Sequence, residues 1–261
     1  MTADPRPEAR PIAGHRLWIP RQHGAWAMLL LPLLLGVAAS TPDPWQLVVG
    51  ATALTAYLAS VSAQTWSRNR RQAAYLPPLE VYGGIAAILG GLLLLAFPAL
   101  ALAAIVVVPT AIIVFRGAQP GTRRDLANSL AQVAQALVLV PVTACVSGTW
   151  DPERVVAYTC VAAGYQFGSV LVVRSVLRER GNRAFAALSV AFHVLLVVLA
   201  SLFLPLPYAL VAAGLVARAA ALPLAQRRMA GSARQLRPIH VGIVEIIASL
   251  SVVVVSFAAP I

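Results

Sequence analysis

Long apolar runs alternate along the chain with short segments that hold most of the charged residues. A helix needs about 17–25 mainly apolar residues to cross a bilayer. Runs of at least that length recur from one end of the chain to the other, and only the last of them contains a charged residue. They cover residues 24–40, 45–67, 81–115, 126–146, 155–173, 184–217 and 241–257. The pattern predicts a membrane protein built from transmembrane helices.

Two of these runs are too long for a single crossing. Residues 81–115 would extend for about 52 Å as one helix at 1.5 Å per residue. Phe97-Pro98 interrupts this run, and Pro205-Leu206-Pro207 interrupts residues 184–217. Because proline breaks or kinks a helix, each long run is predicted to form two spans joined by a tight turn. The sequence therefore predicts nine transmembrane helices.

The arginines give an independent check on this count. All twenty basic residues of the chain are arginines. With nine spans, eighteen of them fall on the same side of the membrane. They are Arg6, Arg10, Arg16, Arg21, Arg68, Arg70, Arg71, Arg116, Arg123, Arg124, Arg174, Arg178, Arg180, Arg183, Arg227, Arg228, Arg234 and Arg237. Loops rich in arginine stay in the cytoplasm. The N-terminus is therefore predicted inside and the C-terminus outside, in a bacterial inner membrane.

Composition agrees with this reading. The chain is 59% hydrophobic and 11% charged, whereas soluble domains are about 45–50% apolar and about 25% charged. The formal net charge of +11 is explained by the orienting loops, so nucleic acid is not expected as a partner.

We predict an all-α polytopic bundle, with residues 1–20 as a disordered cytoplasmic tail and residues 21–261 as one transmembrane domain. No metal-binding pattern of cysteine and histidine occurs, and no cofactor is predicted.

Polar side chains within the spans are candidate site residues, since hydrocarbon disfavours them. The fifth span carries Asn128, Gln132 and Gln135 three or four residues apart, on one helical face. This face either forms hydrogen bonds that hold neighbouring helices together or lines a cavity that Gln64 and Gln166 also reach. His193, near the middle of the seventh span, is a candidate as well.

Arg218 and Glu245 are the two most unusual charges. Each lies a few residues inside the cytoplasmic end of its span, where an unpaired charge is costly. Their spans are consecutive and joined by a short loop, and such helices usually pack together. We predict that the two side chains form an ion pair.

Two cytoplasmic loops combine arginine with amide side chains. Gln64 and Arg68 follow the second span, and the corresponding residues after the sixth are Arg174, Arg178 and Asn182. Guanidinium groups bind phosphates and carboxylates through paired hydrogen bonds. The arginines either hold an anionic head group or act as anchors that contact lipid phosphates nonspecifically.

Several segments resemble the YwiC-like family of bacterial membrane proteins. The most specific is WIPRQHGAWAM at residues 18–28, which contains Arg21 and His23, and these two residues complete the set of candidate ligand-binding positions. Others are YLPPLEVYG at 75–83, VRSVLRERGN at 173–182 and VGIVEII at 241–247. The resemblance spans nearly the whole chain and implies a multi-spanning membrane protein.

The predicted architecture is also similar to that of the UbiA prenyltransferases. These have nine helices, an internal N-terminus and active-site loops after helices two and six, where aspartates bind magnesium and an isoprenoid diphosphate. Here Gln64 and Arg68 occupy such positions after the second span, and Arg174 and Arg178 after the sixth. The aspartates are missing. The resemblance therefore implies contact between arginine and an anion without metal.

Three functions follow from these observations. The first is binding, with or without chemical modification, of an anionic isoprenoid or lipid in a cytoplasm-facing cavity, in a UbiA-like manner. The second is an accessory or structural membrane subunit, whose polar residues only pack. The third is a transporter of a small anion. Membrane lipids are the expected surroundings in each case.

Overall fold

The computed structural model describes Trp18 and residues 23–69, 71–119, 126–229 and 236–261. All the regular structure in these residues is helical. The helices are α1 (His23–Ala38), α2 (Pro44–Arg68), α3 (Leu76–Ala96), α4 (Ala104–Arg116), α5 (Leu126–Leu137), α6 (Leu139–Cys145), α7 (Pro152–Leu177), α8 (Arg183–Phe203), α9 (Leu206–Arg228) and α10 (Pro238–Ala258). Short 3-10 helices at Ala73–Tyr75 and Pro98–Ala103 precede α3 and α4. The predicted tail lies almost wholly outside the described residues.

Both predicted proline breaks are present. Helix α3 ends at Ala96, and the 3-10 helix that starts at Pro98 leads into α4. Helix α8 ends at Phe203, and Leu206 begins α9. Because proline has no N–H to donate, it fits the first turn of the new helix and not the middle of the old one.

The fifth span is less regular than predicted. The sequence indicated one helix over residues 126–146, whereas α5 and α6 are separate helices that meet at Val138. Pro141 lies just beyond the junction. Its ring conflicts with the carbonyl of Leu137, the residue four positions earlier, which explains an interruption at this point.

Among the described residues, nine helical segments correspond to the nine predicted spans. Eight are long and apolar enough to span a bilayer, counting α5 with α6 and each 3-10 helix with the helix that follows it. The ninth, α1, is shorter and apolar. The predicted all-α polytopic bundle is therefore confirmed. Many large apolar side chains, such as Leu95, Ile105 and Leu210, are exposed on its surface, as a bilayer requires.

Helix α7 is the centre of the bundle. It packs against α1, α5, α6, α8, α9 and α10. Half of the residues in its most apolar stretch are buried. Two glycines allow α8 to approach it closely. A Cβ at Gly164 would lie 2.9 Å from the Leu196 side chain, and one at Gly168 would lie 2.8 Å from Nε2 of His193. The small-residue spacing seen in the sequence thus marks the α7–α8 interface.

The two ends of the bundle differ in charge. Helices α2, α4, α7 and α9 finish, and α8 and α10 begin, at what we call the arginine-rich end. There Nε of Arg68 donates to the carbonyl of Ala118 at 3.4 Å, which joins two of the basic loops. At the opposite end, Arg154 donates to the carbonyl of Ala38 at 3.2 Å. Loops predicted to share a side of the membrane therefore contact each other.

Aspartates define the starts of two helices at that opposite end. Asp43 caps α2 by accepting a hydrogen bond from the backbone N–H of Trp45 at 2.8 Å. Asp151 caps α7 in the same way, through the N–H groups of Glu153 and Arg154. These caps satisfy backbone donors that have no partner within the helix.

Candidate functional site

Arg218 of α9 and Glu245 of α10 form the predicted ion pair. The NH1 atom of Arg218 lies 2.7 Å from Oε1 of Glu245, and both side chains are only 6% exposed. Unpaired, either charge would cost about 2.5–3.5 kcal/mol near the centre of a bilayer. Mutual contact accounts for the presence of both in otherwise apolar helices.

Helix α7 completes the shell around the carboxylate of Glu245. The hydroxyl of Ser169 donates to Oε2 of Glu245. The hydroxyl of Tyr165 lies 3.3 Å from the same oxygen and 2.9 Å from the main-chain carbonyl of Glu245. The carboxylate is thus held by side chains from two neighbouring helices. Hydrogen bonds of this kind replace the water that a buried charge has lost.

His193 of α8 contacts the other side of Arg218. Its Nδ1 lies 2.7 Å from the carbonyl oxygen of Ser189, and because a carbonyl only accepts, Nδ1 carries the hydrogen. Its Nε2 lies 3.3 Å from NH2 of Arg218, a donor, so Nε2 accepts. These two contacts assign a neutral imidazole with a defined tautomer. The guanidinium also lies 5.7 Å from the ring centre of Tyr165.

These five side chains form what we call the buried cluster: Tyr165, Ser169, His193, Arg218 and Glu245. Arg218 is ten residues from the end of α9, which is about 15 Å along the helix. Glu245 is seven residues from the start of α10, or about 10 Å. The cluster therefore lies deep within the span and joins four helices.

An apolar cavity of about 400 Å³ adjoins the cluster. It lies between α7, α8, α9 and α10, in the half of the bundle away from the arginine-rich end, and Tyr165 forms part of its wall next to the cluster. Its lining comprises Ala157, Cys160, Val161, Gly164, Tyr165, Leu196, Leu199, Ala200, Phe203, Leu204, Tyr208, Val211, Ala212, Leu215, Val252, Val255 and Ile261. We call it the apolar cavity.

A second cavity, of about 280 Å³, lies at the arginine-rich end. The end of α7, the start of α8 and the end of α9 enclose it. Five of its eight lining residues are polar; the lining comprises Ser175, Arg180, Gly181, Asn182, Ala186, Pro223, Gln226 and Arg227. We call it the arginine cavity. Of the residues predicted from the sequence to bind a ligand, Asn182 is the one that lines it.

The predicted arginines of the two loops have different surroundings. Arg174 pairs with Glu179 at 3.6 Å, and Arg178 is exposed. Arg68 contacts the loop after α4, while Gln64 donates to Ser60 within its own helix at 3.4 Å. Arg68 thus contacts a neighbouring loop, whereas Gln64 and Arg174 have partners in their own segments. Of the two loops, only the one after α7 lines the arginine cavity.

The polar face of the fifth span has partners nearby. Gln132 donates to Asn128 at 2.8 Å, and Asn128 is buried. Gln166 is fully buried and donates to the main-chain oxygen of Met28 in α1 at 2.9 Å. The Gln166 contact joins two helices, whereas Asn128 and Gln132 lie one turn apart on α5. Arg21 lies outside the described residues, as does the side chain of His23.

Tyr165 and Ser169 were not among the predicted site residues. Tyrosine and serine are common in membrane helices, and only the three-dimensional contact with Glu245 distinguishes these two. Their spacing of four residues places both on one face of α7, which is compatible with a site but far from specific for one. Cys145 and Cys160 are free thiols, and the described residues contain no group of three or more side chains suited to a metal.

The fold and the buried cluster define a multi-pass helical membrane protein with an ion pair deep in its bundle. The family model for YwiC-like proteins matches residues 19–144. The Bacillus subtilis (strain 168) protein designated Uncharacterized protein YwiC is 31% identical over 186 residues, which are 71% of this chain and 77% of that protein. The chain belongs to the YwiC-like family. No solved structure matches it, and the UbiA-like architecture stays a prediction.

Proposed function

We propose that this chain is a bacterial cell-membrane protein that binds an anionic isoprenoid or lipid at its arginine-rich end, with the head group in the arginine cavity. The observation that carries the proposal is a cavity enclosed by three transmembrane helices and lined by two arginines. Its volume of about 280 Å³ is close to the lower limit of about 300 Å³ for small-molecule sites. A phosphate group with part of its substituent matches this size.

Arg180 and Arg227 supply the charge. Nε of Arg180 donates to the main-chain oxygen of Val176 at 3.2 Å, which anchors the guanidinium beside the cavity. Ion pairs among the described residues use other arginines, namely Arg174 and Arg218. The two cavity arginines therefore keep their charge available, and guanidinium groups match phosphate geometry well.

The other polar residues of this cavity hold its walls in position. Asn182 caps α8 by accepting from the backbone N–H of Phe185 at 3.0 Å. Gln226 accepts from the backbone N–H of Leu236 at 3.0 Å, which fixes the start of α10 against the end of α9. The oxygens of these two amides are thus engaged by the protein, and the arginines bring the positive charge that would recognise an anion.

Lipid binding measured by native mass spectrometry tests this proposal. The purified chain is titrated with geranylgeranyl phosphate, and with uncharged geranylgeraniol as the reference ligand. We expect the phosphate to bind more tightly than the alcohol. We also expect the double variant Arg180→Gln/Arg227→Gln to lose that preference, because guanidinium–phosphate contacts are charge-assisted and roughly twice as strong as neutral hydrogen bonds.

Arg183→Gln/Arg228→Gln is the matched control. It removes the same charge from the same end of the bundle, at the start of α8 and the end of α9, but neither residue lines the cavity. If both double variants lose the phosphate equally, the arginines act only as a diffuse positive surface. Binding of free inorganic phosphate with the same arginine dependence would instead favour a carrier of small anions, and no binding of either would favour an accessory subunit.

A further inference from the structure

We infer that the buried cluster is a proton-binding site, in which a proton taken up by Nε2 of His193 breaks the contact with Arg218 and moves α8 away from α9. The proton comes from water, Nε2 gains an N–H bond, and the cluster gains one positive charge. The inference stands separately from the anionic ligand proposed above, because no member of the buried cluster lines the arginine cavity.

The position of His193 suits only a neutral imidazole. Its Nδ1 donates to the carbonyl oxygen of Ser189 at 2.7 Å, so Nε2 is the ring nitrogen that remains free to bind a proton. Nε2 lies 3.3 Å from NH2 of Arg218, which can only donate. A proton on Nε2 would set two donors and two positive charges against each other. This contact between α8 and α9 therefore holds only while His193 is neutral.

The charges around His193 do not compensate a proton on its ring. Helix α8 packs mainly against α7 and α9. Among the described residues, the ionisable groups of the cluster on the neighbouring helices are Tyr165, Arg218 and Glu245. The carboxylate of Glu245 is already held by NH1 of Arg218 at 2.7 Å. Within α8 itself, Arg183 is ten positions away and is also basic. Repulsion between imidazolium and guanidinium therefore has no nearby counter-charge.

Steric contact directs the resulting movement to α8. The imidazole packs against α7 at Gly168, where a Cβ would lie 2.8 Å from Nε2 and 3.1 Å from Cε1. The ring thus lies between α7 and α9, with little space to turn towards α7. Helix α8 is also a peripheral helix, since 17% of the residues in its most apolar stretch are buried, against 50% for α7. It is therefore the element of this contact that is freest to move.

A polar side chain links the cluster to the arginine cavity. Ser189 is fully buried, and its hydroxyl has no hydrogen-bond partner. Along α8 it lies between Ala186, which lines the arginine cavity, and His193. The spacings of three and four residues place all three on one helical face, and about 10 Å separates the first from the last. Because a hydroxyl both donates and accepts, Ser189 can pass a proton from water in that cavity towards the cluster.

Thermal unfolding between about pH 8 and about pH 5, the range over which histidine titrates, tests the inference. The closed cluster excludes a proton that the unfolded chain binds at about pH 6.5, so stability is lost as the pH falls below that value. We expect the unfolding temperature of the purified parent chain to fall by about 3 °C for each pH unit below about 6.5.

His193→Gln is the test variant, because its amide oxygen can still accept from Arg218 but does not take up a proton. We expect this variant to lose most of the pH dependence. His240→Gln removes an exposed histidine at the start of α10 and is the matched control, which is expected to keep the parent's pH dependence. If His193→Gln keeps it as well, another group binds the proton and the inference is overturned.

Nuclear magnetic resonance of the parent chain with isotope-labelled histidine rings needs no substitution in the cluster. At neutral pH we expect one histidine with Nδ1 protonated and Nε2 unprotonated, as the two contacts of its ring require. At about pH 5 we expect the same ring as an imidazolium. A ring with the other tautomer at neutral pH, or one that stays neutral while the unfolding temperature falls, would overturn the inference.

Hydrogen–deuterium exchange tests the movement of α8. The parent chain and His193→Gln are compared at the same pH, so that the intrinsic exchange rate cancels. We expect equal exchange of α8 at about pH 8 and faster exchange in the parent at about pH 5. Helix α3, which packs mainly against α2, is the internal reference and is expected to exchange equally in both. Protonation of His193 without faster exchange of α8 would overturn the proposed movement.

Discussion

Arg218 NH1 and Glu245 Oε1 are 2.7 Å apart, although 27 residues separate them in the chain. The contact joins α9 to α10 well inside the bundle, where both side chains are almost inaccessible. His193, Ser169 and Tyr165 hold the pair from two further helices. The ion pair and its three neighbours thereby link α7, α8, α9 and α10.

Substitution of either charged partner is expected to destabilise the protein, and substitution of both to restore much of the loss. Arg218→Leu or Glu245→Leu leaves the other charge buried and unpaired, a change that typically costs about 3–5 kcal/mol. The double variant removes both charges, so its loss of stability is expected to be much smaller than the sum of the losses in the two single variants. Thermal unfolding of the purified protein in detergent, followed by fluorescence, measures all four members of this cycle.

The pair between Arg174 and Glu179 is the reference for that cycle. Its atoms are 3.6 Å apart, with side chains 14% and 33% exposed, and partly exposed pairs contribute little. Glu179→Gln is expected to change the unfolding temperature only slightly. A double variant at positions 218 and 245 that is no better than the sum of its single variants would show that the two charges act independently.

Gly168→Ala is expected to disturb the buried cluster although it adds only a methyl group. The new Cβ would lie 2.8 Å from Nε2 of His193, closer than such atoms approach, so the imidazole would move away from Arg218. Gly214→Ala is the matched control, because a Cβ there meets nothing within 4 Å. Alanine is favoured over glycine in a helix by about 0.5–1 kcal/mol, so the control is expected to be neutral or stabilising.

Thermal unfolding compares these two glycine variants directly. Lower stability for Gly168→Ala than for Gly214→Ala is the predicted order. Equal stability would mean that α8 can move back from α7 at little cost, and that the close approach of the two helices is not needed to hold His193.

Cysteine labelling in intact cells tests the orientation. Single cysteines at positions 42, 150 and 206 are expected to react with an impermeant maleimide from outside, and those at positions 70, 120, 180 and 230 only after the membrane is opened. The reason is the concentration of arginine at one end of the bundle, since such loops stay in the cytoplasm. Reaction of position 120 from outside would contradict the division of residues 81–115 into two spans.

Much of the fold follows from the sequence because each transmembrane helix satisfies its own backbone. In hydrocarbon, every N–H and C=O must be bonded within the segment, so an apolar run of sufficient length is enough to predict a span. Pro98 and Pro205 divide the long runs for an equally local reason, the missing N–H. Pro141 acts by the same rule, yet its effect within the fifth span was not predicted.

The pairing of Arg218 with Glu245 was predictable because two conspicuous charges lay at similar depth on consecutive spans. The candidate ligand-binding residues after the second and sixth spans were predicted from local spacing alone, and in the folded chain their arginines contact different partners. Spacing of four residues shows which side chains share a face of one helix. It carries no information about the neighbouring helix that the face meets.

The sequence by itself therefore determined the membrane class, the number of crossings and the two charges that need a partner, because hydropathy, proline positions and charge depth act within single segments. Only the tertiary structure decided that Tyr165, Ser169 and His193 surround that pair, and that one cavity without arginine and one with two arginines lie between α7, α8 and α9. These features depend on which helix faces pack together. Close packing at Gly164 and Gly168 settles that choice through contacts between residues far apart in the chain.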